Sequence, residues 1–104
     1  MRSQVVPASD PEAPPECLLT RDDGQRRQPA IDALFAQLDR QEQTASGTSF
    51  VFKGDPVILW EMVNAFVAEE AVCCPFYDFT ITETGDGIEL DVSLPPQRVE
   101  IEGI

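Results

Sequence analysis

The stretch DPVILWEMVNAFVAEEAVCCPFYDFTIT, residues 55–82, sets the architecture of this chain. Asp55 supplies an N-cap oxygen, and Pro56 fits the first helical position, where its missing N–H costs nothing. Leu59, Met62, Val63, Phe66, Val67 and Glu70 then follow the i, i+3, i+4 rhythm of a helix. Val57, Ile58, Trp60 and Ala71 widen the stripe, so the helix should be covered on more than one side. The spacing predicts a helix from about residue 56 to Cys73. Pro75 ends it, because it lacks a donor and biases Cys74 away from helical geometry. Tyr77, Phe79 and Ile81 then alternate with Asp78, Thr80 and Thr82, the period of a strand with one buried face.

Working outward, Gly85-Asp86-Gly87 reads as a turn, and Ile88, Leu90, Val92 and Leu94 resume the alternation. These two runs form an antiparallel hairpin. Upstream, Thr48 to Lys53 is a short strand with Phe50 and Phe52 on one face, closed by Gly54. A further helix is expected to open near Pro29, carry Ile31, Leu34, Phe35 and Leu38 on one stripe, and fade at Thr44–Gly47. A turn of helix over residues 21–28 is only weakly signalled. Pro95-Pro96 breaks the hairpin, and Val99–Glu102 alternates as a candidate edge strand. Helix, strand, helix, strand, strand implies an α+β two-layer sandwich, an antiparallel sheet with two helices packed on one face.

Residues 1–16 hold Pro7, Pro11, Pro14 and Pro15 among acidic residues and almost nothing large to bury. They read as a disordered or extended tail, with a single α+β domain over residues 17–104. The chain's 104 residues suit one domain. Cys17-Leu18-Leu19-Thr20 is the first apolar cluster.

Seven basic residues against nineteen acidic ones give a net charge of −12. A surface of that sign repels phosphate backbones and anionic lipid, so neither nucleic acid nor membrane is an expected partner. No apolar run reaches the roughly 18 residues of a membrane span, and residues 1–7 show no apolar secretory segment. Three cysteines, two of them neighbours, are not a disulfide framework. A reduced, cytoplasmic protein is the expectation.

Cys73 and Cys74 are the candidate site. Adjacent Cα atoms stand about 3.8 Å apart, below the usual disulfide range of roughly 4.4–6.8 Å, so the pair should not close on itself. Two thiolates can share a thiophilic ion, Hg(II), Zn(II), Cu(I) or trivalent arsenic. Cys17 is a third sulfur if it folds back, and Glu70 falls on the same side of the helix as Cys73. Glu70 reads more readily as a local hydrogen-bond partner than as a ligand. The helix C-terminus and Glu69 and Glu70 disfavour a thiolate, and the chain has no histidine. Catalytic thiol work is therefore the weakest reading, and an enzyme is not expected.

The competing account treats both cysteines as small packing residues in an interaction or dimerisation module. Trp60, Phe66, Phe76, Tyr77 and Phe79 are assigned to the core on the same reasoning. There is no phosphate-binding glycine loop, no Ser/His/Asp set and no C-x-x-C pair.

Four blocks resemble a small bacterial family: Cys17-Leu18-Leu19-Thr20, Phe50-Val51-Phe52, Glu70-x-x-Cys73-Cys74-Pro75-Phe76-x-x-Phe79, and Gly87-Ile88-Glu89-Leu90. That family is associated with heavy-metal and metalloid resistance neighbourhoods. The resemblance spans about residues 17–94 and implies that Cys17, Glu70, Cys73 and Cys74 are the functional positions. The Pro-rich leader and the strand-like run after Pro96 depart from the family's pattern.

Overall fold

The computed structural model describes residues 2–10, 12 and 21–94, with the backbone alone for residues 21–27. Cys17–Thr20 and the expected Val99–Glu102 strand lie outside the described residues. The elements are β1 (Ser3–Val6), α1 (Arg21–Phe35), β2 (Leu38–Gln43), β3 (Gly47–Lys53), α2 (Pro56–Cys73), β4 (Asp78–Glu83) and β5 (Gly87–Ser93). All strand pairings are antiparallel, in the order β1-β4-β5-β3-β2. The two-layer α+β arrangement is the one the alternation implies.

Registers show why. Phe52 lies opposite Ile88, and Phe50 and Ile81 both flank Leu90. Directly opposed residues share a face, so the apolar positions of three strands meet on one side. Phe52, Phe79, Ile81, Ile88 and Leu90 join Leu59, Val63 and Val67 of α2 and Leu34 of α1 in one core. The other face carries Thr80, Thr82, Glu89 and Asp91, and Ser49 Oγ donates to Glu89 Oε1 at 3.4 Å. Gly87 is needed where β5 passes β3, since a Cβ there would lie 1.8 Å from the Phe52 carbonyl oxygen. Gly54 takes φ +156°, a conformation that favours glycine, where β3 turns into α2.

α2 begins as its sequence dictates. The Asp55 carboxylate accepts from the Val57 N–H at 2.9 Å, with Pro56 next in line. Trp60, Met62 and Phe66 are half-buried against the core.

α1 departs from expectation at both ends. It starts at Arg21, keeps Pro29 inside the helix and stops at Phe35. Residues 38–43, expected to be helical, form edge strand β2 against β3, with a bulge between Leu38 and Arg40. The stripe misleads because Leu38 packs on the core either way, as the next helical turn or as the first residue of a strand. Phe35 decides the matter. Its ring meets Phe50, Phe52 and Phe66 edge-on at centroid distances of 5.5–5.7 Å, anchoring the chain where it must turn.

The leader contributes one strand, Ser3–Val6, to the sheet. Ser3–Val6 pairs with β4 from Thr82 to Phe79, and Val6 packs on the core. Arg2 Nε donates to Glu83 Oε1 at 2.9 Å, and its guanidinium carbon lies 4.4 Å from the Trp60 ring centroid. This one side chain therefore ties the leader to α2 and β4 together. The Arg2 side-chain hydrogen bond holds the Glu83 carboxyl below its usual range, against the opposing pull of desolvation. The stabilisation this contact gives is present above the unfolded carboxyl's pKa and is lost as pH falls through the depressed value.

Candidate functional site

The corner after α2 is assembled from backbone hydrogen bonds that the sequence makes necessary. Pro75 stops the helix ladder, leaving carbonyl groups of the last turn to find other donors. The Cys74 N–H donates to the Glu70 carbonyl at 2.6 Å, and the Tyr77 N–H donates to the Cys74 carbonyl at 3.2 Å. Cys74 adopts φ −124°, ψ 68°, outside the helix. The leader closes over this turn. Asp10 N–H donates to the Pro75 carbonyl at 2.9 Å, and Ala8 N–H donates to Asp78 Oδ1 at 2.7 Å.

Neighbouring residues at a helix end point about 100° apart, and the two cysteines divide accordingly. Cys73 is buried with Phe76, both 4% exposed, while Cys74 is half-buried. Cys73 is disulfide-bonded, and Cys74 keeps its thiol. The adjacent pair is thus not closed on itself, as the Cα spacing requires. The disulfide on Cys73 differs from the expected reduced pair. An odd count of cysteines says how many sulfurs there are, and only the fold says which meet another.

Of the other sequence candidates, Cys17 lies outside the described residues. Glu70 is half-buried one turn before the pair and lines a cavity between α2 and the sheet. Among the described residues, no group of three or more His, Cys, Asp or Glu side chains is placed to hold a metal ion. Glu70, Cys73 and Cys74 therefore share a turn of chain without converging as a three-donor set.

The cavity at Glu70 measures about 230 Å³ and is lined by Gly47, Thr48, Phe50, Phe66, Tyr77, Phe79 and Val92 besides the carboxylate. Phe66 and Tyr77 pack against the core, as their spacing implies, and also line this cavity. Phe76 and Phe79 are buried, yet Phe50, Phe66 and Tyr77 are half-buried and form its walls. Their spacing does carry them to one side of the fold. Only the packing of α2 over the sheet shows that space remains between them. A larger groove of about 580 Å³ runs between the helices, lined by Ala30, Ile31, Ala33, Met62, Ala65, Phe66 and Glu69.

Among the described residues, no helix is long and apolar enough to cross a membrane. Comparison with known proteins finds no matching family, no matching curated protein and no matching solved structure.

Proposed function

We propose that the α2 corner is a redox-gated thiol site, which binds a thiophilic ion through Cys73 and Cys74 once the disulfide on Cys73 is opened. The observation that supports the reading is the split state of two adjacent cysteines, one sulfur in a disulfide and its neighbour a thiol. A dithiol reductant delivers two electrons and two protons to that disulfide, returning Cys73 to a thiol. Binding of Hg(II), Zn(II), Cu(I) or trivalent arsenic then displaces the protons of Cys73 and Cys74, since the ligand is the thiolate. The charge of the ion overcomes the unfavourable field of the helix C-terminus, which no basic residue in the last turn relieves. Glu70 is left out of the donor set and serves the backbone of the corner and the adjoining cavity. The expected role is that of a buffer or carrier in the cytoplasm, where reductant is available.

Native mass spectrometry tests this with Hg(II), Zn(II) and arsenite, on oxidised protein, on reduced protein and on Cys73→Ser/Cys74→Ser. Reduced wild type should hold one ion, and the other two samples should hold it at least tenfold more weakly. Equal binding by all three would end the metal reading.

A second reading has its own support. Val57 and Ile58 in the first turn of α2 and Val72 in its last are 57–63% exposed, large apolar side chains left in solvent at both ends of the helix. On that account the cysteines are structural and the chain is an interaction module. A homodimer detected by sedimentation and dissolved by Ile58→Glu would favour it.

A further inference from the structure

The outer edge of β2 carries a pattern that is complementary to itself. β2 stands at one end of the strand order, and Asp39, Arg40, Gln41, Glu42 and Gln43 are all exposed. The Thr44 N–H donates to the Gly47 carbonyl across the β2–β3 turn at 2.9 Å, which fixes the phase of the ladder. Backbone groups alternate in direction along an antiparallel pair, so those of Gln43 and Gln41 point away from β3. Among the described residues, no strand pairs with them. Such an edge is a template for another strand. Arg40 lies opposite Val51 and Glu42 opposite Ser49, so both charges stand on the sheet face that the helices leave open. Arg40 Nε lies 3.3 Å from Glu42 Oε1, and the two side chains are 62% and 63% exposed. A guanidinium with five donors and a carboxylate with two oxygens, both in water, have hydrogen-bonding positions to spare.

We infer that β2 pairs antiparallel with β2 of a second copy of this chain, about a two-fold axis at Gln41, joining two sheets into one. The charges select that register. An axis at Gln41 sets Arg40 of each copy opposite Glu42 of the other, and no like charges meet. An axis at Asp39, Arg40 or Glu42 would oppose two like charges at its centre, and an axis at Gln43 would pair none. At Gln41 the two copies also exchange N–H to carbonyl hydrogen bonds. The flanking 40–42 pairs are then the non-hydrogen-bonded kind, whose side chains stand closer together. The bulge between Leu38 and Arg40 ends the pairing on one side, so the contact is short and reversible. Two chains of net charge −12 repel at a distance, but about 0.15 M salt screens that repulsion beyond about 8 Å. The surface uses neither cysteine nor Ile58, which separates it from both functional readings above.

The test is sedimentation of the full chain in about 0.15 M salt, with concentration raised to about 1 mM. Wild type should pass from monomer to dimer, and hydrogen exchange at the Gln41 amide should slow in step. Arg40→Glu and Glu42→Arg should each associate about tenfold more weakly, since like charges then face each other. Mixed in equal amounts, the two variants should form a heterodimer as tight as the wild-type dimer, because every 40–42 pair again joins opposite charges. Gln41→Pro gives up only an outward N–H, which an edge strand tolerates, and should abolish association. Ile58→Glu should leave it unchanged. A wild type that stays monomeric would overturn the inference, and slow exchange at Gln41 in that monomer would give the edge to another segment of the same chain. A mixture no tighter than its components would also overturn it. So would a dimer lost in Ile58→Glu but indifferent to both charge reversals, which would belong to the α2 surface. Arg40 and Glu42 are exposed and outside the core, so the mixing experiment does not depend on a variant that fails to fold.

Discussion

The two helices lie on the same sheet and were built by different means. α2 has an aspartate cap, a proline at its first position and three core anchors, Leu59, Val63 and Val67, each within 2% of full burial. α1 shows one fully buried side chain among its described positions, Leu34, with Gln28, Pro29 and Ala30 exposed and a proline in its interior. Local chemistry is enough to start and stop α2. α1 rests on the core through Leu34 and Phe35, and that contact lies at its C-terminal end. Helical stability in proteins comes mostly from such packing, and α1 is the clearer case of it.

The comparison can be broken with one substitution made in both helices. Leu59→Ala should cost about 3–5 kcal/mol in chemical denaturation, because the surrounding sheet and helix cannot close over the void. Leu34→Ala removes an equally buried leucine, yet should cost only about 2–3 kcal/mol, since α1 has freedom to settle or fray. Equal losses, with equal effects on amide exchange throughout both helices, would show that α1 is as integral as α2.

Pro29→Ala sharpens the same contrast in the other direction. Proline within a helix forgoes one ladder hydrogen bond and crowds the carbonyl four residues back. Replacing it should raise stability by about 1–2 kcal/mol, after allowing for the added freedom of the unfolded chain. A loss of stability in thermal unfolding would mean that proline at position 29 is required for Leu34 to reach the core. The smallest effect is expected at the α2 cap. Asp55→Ala should cost about 1 kcal/mol by the same measurement, and Asp55→Asn should restore most of it.

The legible and illegible parts of the fold follow the same division. The span of α2, its cap, and the strands on either side of Gly85–Gly87 were readable, because each rests on a period or a turn residue within a few positions. β2 was not. Gln41 and Gln43 have no apolar alternation to announce a strand, and Leu38 satisfied a helical stripe equally well. β1 left a faint trace in Gln4-Val5-Val6, but its partner, β4, lies more than seventy residues away. The candidate site divides likewise. The sequence located the Cys73–Cys74 corner, whereas the disulfide on Cys73 was not legible in it, and the cavity at Glu70 depends on groups brought together from separate elements.

By itself, then, the amino-acid sequence determined the α+β class, the one-sided burial of the sheet, the course of α2 and the position of the thiol corner. Those features follow from backbone periodicity, proline's missing donor and the capping oxygen of Asp55, all of which act over a few residues. The tertiary structure alone decided where α1 ends, that the leader completes the sheet through Ser3–Val6 and Arg2, and that the two cysteines differ in state. It also left an aromatic cavity beside Glu70. These outcomes depend on contacts between residues far apart in the chain, and a local pattern carries no information about which distant surface will be there to meet it.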